Sequence, residues 1–471
     1  MIRLINRSFK AFIVLSIYLL SSSTTFADTE DEKLLKQIKQ LETEFKTLST
    51  EFYIQADKGN NNNLKNIDDI DQLFEETSRL TAQGKSVEAI QLLYINKNTI
   101  RDNLDHQAIF TFIALLLHNN EWNLALKLRN AIKEESDISL SATTQFIFAK
   151  YHAPRNEWAQ VSKALEGTYT ELSPENTVYA YLLKGSALQH LKKHRQAIKA
   201  YSKIPPDSHY YIYAQLNTAI ANIRQGWWTD ARTTINNLLK HTNQGNQDEL
   251  TNRLYLVLGY ALLQREYYRD ARDTFRHIAL NSRYTNRALL GIGLSATNQG
   301  DYVGGLNALS ILKEKDMSDL SVEESYLLIP YVYEKLQQEL TVISSYSEGM
   351  KYYQQRIKTF NKIANQHINY TEISYRKDTN DIIIQNNILD YGKHFPRSFL
   401  SNYQKLIDFS TKNNNKVLRK KVKNLMKKHD NLLQGIIGEL MQERIAYLKS
   451  YLNQSRYGLA RMYDHSNKDM N

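Results

Sequence analysis

The sequence predicts an all-α protein in which helical hairpins stack as a solenoid. Three observations point there. A small anchor residue, flanked at fixed distances by bulky ones, recurs every 34 to 40 positions between residues 64 and 316. Helix breakers are scarce, 17 Gly and 6 Pro among 471 residues, which favours long helices joined by short turns. The chain is 42 % hydrophobic and carries 31 Tyr and 15 Phe, the bulk that helix packing needs. Its length exceeds one ordinary core, so it divides into domains or extends as an array.

At the N-terminus Arg3, Arg7 and Lys10 precede an apolar stretch from Ala11 to Leu20, and a Ser/Thr run ends in Thr25-Phe26-Ala27. This is the pattern of a cleaved signal peptide over residues 1–27, too short in its apolar part for the roughly 20 residues of a spanning helix. Export implies a periplasmic protein. No cysteine occurs, which excludes a lipoprotein, disulfides, thiolate metal sites and a cysteine nucleophile. Removing 1–27 takes three positive charges and no acids from a formal charge of +10, leaving +7 (10 − 3). In an exported protein that charge points to acidic proteins, anionic membrane or polysaccharide, and not to nucleic acid.

In residues 28–58, Leu34, Ile38, Leu41, Phe45, Leu48 and Phe52 alternate at spacings of four and three. This heptad stripe predicts an amphipathic helix, either a short coiled coil that makes a homo-oligomer or a helix packed on its own domain. The Gly-Asn run at 59–63 then reads as a linker.

The repeats occupy 64–316. Anchors fall at Ala89, Ala125, Val161, Ala197, Ala231, Ala271 and Gly305, spaced 36, 36, 36, 34, 40 and 34, about seven units. The interval of 40 holds the polar insertion Thr242 to Gln247. Three residues before six anchors stand Trp122, Trp158, His194, Trp228, Tyr268 and Tyr302; twelve before the last five stand Ala149, Gly185, Ala219, Gly259 and Gly293. Two antiparallel helices approach closely only where small residues face each other, with a bulky neighbour filling the space beside them. Leu93, Leu165, Tyr201, Ile235, Phe275 and Leu309, four residues after their anchors, sit on the same face one turn later, whereas Arg129 breaks the rule in the second unit.

Tyr255-x-x-Leu258-Gly259 with Ala271-x-x-x-Phe275, and Gly185 with Ala197-x-x-x-Tyr201, resemble the tetratricopeptide repeat, best over 177–316. That resemblance implies that the first helices of successive units line a concave groove. Its positions carry over to Tyr179, Gln189, Tyr213, Arg224, Arg253, Tyr260, Gln264, Arg287 and Asn298. Tyr and Arg combine contact area with directed hydrogen bonds, and the three arginines favour an acidic or carboxylate-ended peptide or protein partner.

Residues 317–471 read as a helical C-terminal region. Asn369 to Phe395 has no clear periodicity, and a long helix is expected from about 417 to 463. From Lys412 to Lys428 it carries Lys412, Lys416, Arg419, Lys420, Lys421, Lys423, Lys427 and Lys428 without an acid, a face suited to an anionic surface.

Chemistry-bearing patterns are sparse. His190 and His194 share a helical face but lack a third ligand and an intervening Glu, so no metal is implied. Ser310-x-x-Lys313 matches two residues of an acyl-serine signature whose other parts are missing. No phosphate loop or nucleophile elbow occurs, which argues against an enzyme and against any cofactor. The order signal peptide, short coiled coil, linker and repeats resembles periplasmic coordinators of cell-wall synthesis and outer-membrane constriction. The implied function is a non-enzymatic scaffold, with an adaptor for export or assembly of polysaccharide, pili or outer-membrane proteins as the alternative.

Overall fold

In a computed structural model the chain is described over residues 28–56, 66–135, 138–167, 171–242, 249–317, 319–375, 382–389, 397–411 and 415–468. The leader at 1–27, the linker at 59–63, Lys412 and most of the Thr242 to Gln247 insertion lie outside these residues. The chain divides into two compact units, one formed by 29–227 with 394–431, the other by 228–393 with 432–471.

In the first unit the hairpins are Ile70–Ala82 with Ser86–Ile95, Ala108–His118 with Trp122–Glu135, Ile138–His152 with Trp158–Ala164, and Pro174–His190 with His194–Tyr201, followed by Tyr211–Gln225. Each helix packs on the next, and the first helices of neighbouring hairpins also touch. The second unit holds Trp228–Thr242, then Glu249–Gln264 with Tyr268–Arg276, Thr285–Gln299 with Tyr302–Lys313, and Leu320–Lys335 with Glu339–Ala364, stacked the same way. The fold class is all-α, and each unit is a stack of antiparallel helical hairpins similar to tetratricopeptide repeats.

The physical cause of the repeat is visible at two places in the hairpins. Where Gly259 faces Phe275, a Cβ would sit 2.5 Å from the ring, and Gly293 against Leu309 leaves a similar 2.7 Å. Gly185 meets the Tyr201 ring in the same way. The anchors themselves, Ala89, Ala125, Val161, Ala197 and Ala271, are fully buried.

The second place is the turn. Gly84, Asn120, Asn156, Lys192, Gly226, Glu266, Gly300 and Gln337 all have positive φ, from 55° to 77° in all but Gly300 at 83°. Each of the first seven stands five residues before its anchor. The next amide closes the helix end: Lys85 N donates to Leu80 O at 2.9 Å, Lys193 N to Leu188 O at 2.8 Å, Gln338 N to Tyr333 O at 3.2 Å. This is the left-handed helix stop that glycine makes without strain.

Gln337 extends the array beyond 316. Counting five residues on gives Val342, fully buried, and four further Tyr346, 4 % exposed. Helices Leu320–Lys335 and Glu339–Ala364 are therefore an eighth hairpin, despite Pro330 inside the first of them.

Beyond it the unassigned stretch contains a small antiparallel sheet, β1 (Ile373–Tyr375), β2 (Ile382–Ile384) and β3 (Asn387–Leu389), in the order β1-β2-β3. Ile384 pairs with Asn387 across a two-residue turn, Gln385 and Asn386, both with positive φ. Arg356 of the eighth hairpin donates to Asn387 Oδ1 at 2.8 Å and holds the sheet. The long helix runs Lys416–Lys468. Within the second unit its Gly458 admits the ring of Tyr346, and its Arg444 and Arg461 pair with Glu323 and Glu334.

The stripe on Asp28–Ala56 is spent within this chain. Leu34, Ile38, Leu41, Phe45, Leu48 and Phe52 are all buried. Phe52 stacks on Phe409 of Arg397–Thr411 at 4.1 Å between centroids, and Tyr53 meets the same ring edge-on at 5.6 Å. Glu121, at the turn of the second hairpin, accepts hydrogen bonds from Ser49 (3.1 Å), Thr50 (3.0 Å) and Tyr94 (2.7 Å). The self-association reading of the heptad stripe gives way to its alternative, a helix packed on its own domain, with Phe45, Phe52 and Tyr53 gathered on Phe409.

Candidate functional site

The nine groove positions separate into surface and interior. In the second unit Arg253, Gln264 and Arg287 are exposed, on first helices that lie side by side. Arg253 and Arg287 stand 34 residues apart, at one repeat position in consecutive hairpins. Asn298 is half-buried and donates to Leu294 O at 2.8 Å.

Tyr260 is a correction. Only 7 % exposed, it donates its hydroxyl to the Arg287 carbonyl at 2.8 Å and turns its ring edge-on to Phe275. Burial raises its pKa well above the tyrosine range. Tyr260 therefore does not line a groove; it ties two first helices together and fixes where Arg287 leaves the backbone.

In the first unit Tyr213 and Arg224 are exposed. Gln189 is a second correction, being buried with Oε1 accepting from the Tyr201 hydroxyl at 2.9 Å. It shares the hydroxyl of the core Tyr201 with Ser186, whose Oγ accepts at 3.5 Å. Tyr179 is half-buried, stacked on Tyr210 at 5.0 Å and edge-on to Phe146.

A cluster of buried carboxylates lies beside Arg287. On Leu320–Lys335, Glu323 is fully buried and pairs with Arg356 and Arg444, and its carbonyl accepts from Tyr353 at 2.8 Å. Its neighbour Glu324 is 6 % exposed. Burial, with Asp319 adding to it, pushes the Glu324 carboxyl up to about 7, while Arg287 pulls the other way. Asp319 accepts from Asn286 at 2.9 Å, so the same short segment also braces the start of Thr285–Gln299. The signal in the sequence was two consecutive acids within an apolar helix, which a solvated helix would not bury.

The patterns of weak chemical meaning resolve into packing. His190 stacks on Trp158 at 4.2 Å, and burial, then the Arg224 charge, lowers the pKa of both His190 and His194. Lys313 pairs with Glu348 at 2.6 Å instead of serving Ser310. Among the described residues no group of three or more His, Asp or Glu is placed to hold a metal ion.

The basic run is divided. Lys421 and Lys428 pair with Glu51 and Glu44 of Asp28–Ala56 at 2.6 and 2.7 Å. Lys416, Lys420, Lys423 and Lys427 are exposed, and Arg419 is half-buried.

The fold and the surface it presents define the class: a helical-hairpin solenoid that exposes basic side chains on its first helices. No family model matches the chain, and no curated protein does. Among solved structures it is similar to the apo form of RapI, with 12 % identity, 78 % of this chain and 98 % of that one covered, and a TM-score of 0.43. The apo quorum sensor NprR from B. thuringiensis follows at 13 % identity, 77 % and 99 % coverage and a TM-score of 0.37. A tetratricopeptide repeat protein from Parabacteroides merdae aligns at 15 % identity over 54 % of this chain and 96 % of its own, with a TM-score of 0.36.

Proposed function

We propose that this protein is a non-enzymatic scaffold of the periplasm that holds a protein or peptide partner through its repeats. Arg253 and Arg287 carry the reading. They recur at one repeat position on adjacent helices, both exposed, and Arg287 is held in place from behind by Tyr260. A pair of guanidinium groups set one repeat apart suits a partner that is acidic or ends in a free carboxylate, because each group presents a planar fork to a carboxylate. The leader pattern of residues 1–27 supports the periplasmic setting, and a role in envelope or division-linked assembly follows from the layout of leader, helix and repeats.

The test is a pull-down from crosslinked envelope fractions with the mature chain beside an Arg253→Glu/Arg287→Glu variant whose helicity is checked by circular dichroism. A defined acidic protein lost only from the variant supports the groove. Equal capture by both forms, or none by either, removes it.

A further inference from the structure

The basic run of Lys416–Lys468 is better ordered than its composition suggests. Lys416, Lys420, Lys423 and Lys427 fall at i, i+4, i+7 and i+11, which at about 100° per residue confines them to one narrow face about 16 Å long. All four are exposed, and among the described residues none pairs with an acid. The opposite face is fixed: Leu418, Val422, Leu425 and His429 are 1 %, 0 %, 4 % and 1 % exposed. Phe399 and Tyr403 of Arg397–Thr411 stack on His429 at 5.1 and 6.2 Å. The stripe is therefore presented on a rigid element while like charges three and four residues apart repel one another. An opposing row of carboxylates would relieve that repulsion.

The protein shows what such a row looks like. On the edge of the same helix Lys421 and Lys428, seven apart, meet Glu51 and Glu44, also seven apart, on a helix running the other way. Lys416 with Lys423, and Lys420 with Lys427, repeat that interval. Two helices share one rise per residue, so an acidic helix keeps register with the stripe along its length, whereas an extended strand, rising 3.2 to 3.4 Å per residue, does not. A membrane fits less well. Amphipathic helices bind bilayers through a free apolar face, and here that face is buried, with Val417 the large apolar residue left exposed on this segment.

We infer that Lys416, Lys420, Lys423 and Lys427 form a docking stripe for an acidic helix of a partner protein, with carboxylates at i, i+4, i+7 and i+11. Exposed ion pairs are individually weak and screened by salt, so the contact is fast, salt-sensitive and governed by register. It lies in the other unit from Arg253 and Arg287 and stands or falls apart from them.

The experiment measures fluorescence anisotropy of two labelled helical peptides with the intact mature protein. One carries Glu at i, i+4, i+7 and i+11; the other has the same composition with the Glu residues moved around the helix. Polygalacturonate and phosphatidylglycerol vesicles are run alongside. Expected is binding of the registered peptide roughly tenfold tighter than the shuffled one at low salt. That binding should be lost in Lys420→Glu/Lys423→Glu and weakened in Lys420→Gln/Lys423→Gln. Equal affinity for both peptides, or binding of the polysaccharide or vesicles in place of the peptides, overturns the inference. So does failure of every probe to bind.

Discussion

Replacing Glu324 by Gln should stabilise the second unit at neutral and alkaline pH and do little in acid. The carboxyl is 6 % exposed and its pKa is about 7 in the folded protein against an ordinary 4.5. A group whose folded pKa is raised binds more protons folded than unfolded between those values. Its stabilising effect is complete below 4.5 and is lost as pH climbs to about 7. At about 1.36 kcal/mol per pH unit, that interval costs the wild type about 3 kcal/mol by pH 8. Glutamine is nearly isosteric and carries no charge to desolvate, so it should recover most of that, leaving Arg287 without its acidic neighbour. Hydrogen exchange of the Leu320–Lys335 amides and urea unfolding of both forms, from pH 4.5 to 8, read the difference. If the two forms run parallel across that range, the carboxyl is not the group that burial makes costly, and the account of this cluster is wrong.

Two further outcomes follow from the packing of the hairpins. Gln337→Gly and Lys192→Gly should each raise stability by about 1 kcal/mol, since a side chain in the left-handed region costs about that much, while Gly300→Gln should lose a similar amount; thermal melts of the single variants decide it. Gly259→Ala places a methyl 2.5 Å from the Phe275 ring and should destabilise by about 1 to 3 kcal/mol, with Phe275→Leu in the same chain restoring part of the loss.

Much of the array was legible because its cause is local. Small residue, anchor and bulky residue recur within one hairpin, and Gly259 and Phe275 meet as their spacing implies. The eighth hairpin was not legible for an equally physical reason: its turn is Gln337-Gln338, its position before the anchor is Glu339, and Pro330 stands where Gly or Ala stands elsewhere. The sheet escaped because three residues per strand are too few to show an alternation. At the candidate site, Arg253 and Arg287 are exposed at one repeat position. Tyr260 and Gln189 are not on the surface because each found a hydrogen-bond partner, the Arg287 carbonyl and the Tyr201 hydroxyl, that no periodicity reveals. The heptad stripe announced an apolar seam correctly, but its partner Phe409 lies some 360 residues away, beyond the reach of any local pattern.

That separation has a consequence for how the chain is made. Glu51 meets Lys421 across 370 residues, which at about 5 to 20 residues per second is about 20 to 75 s of synthesis. Until Arg397–Thr411 exists, Asp28–Ala56 can meet Tyr94 and Glu121 but lacks the Phe409 ring on which Phe45 and Phe52 stack. Closing so long a loop is slow, and exposed apolar stripes invite aggregation in the interval. Asp28–Ala56 is thus open to that hazard until its distant partners arrive, and truncations that remove residues after 396 should leave Phe45 and Phe52 without the Phe409 ring.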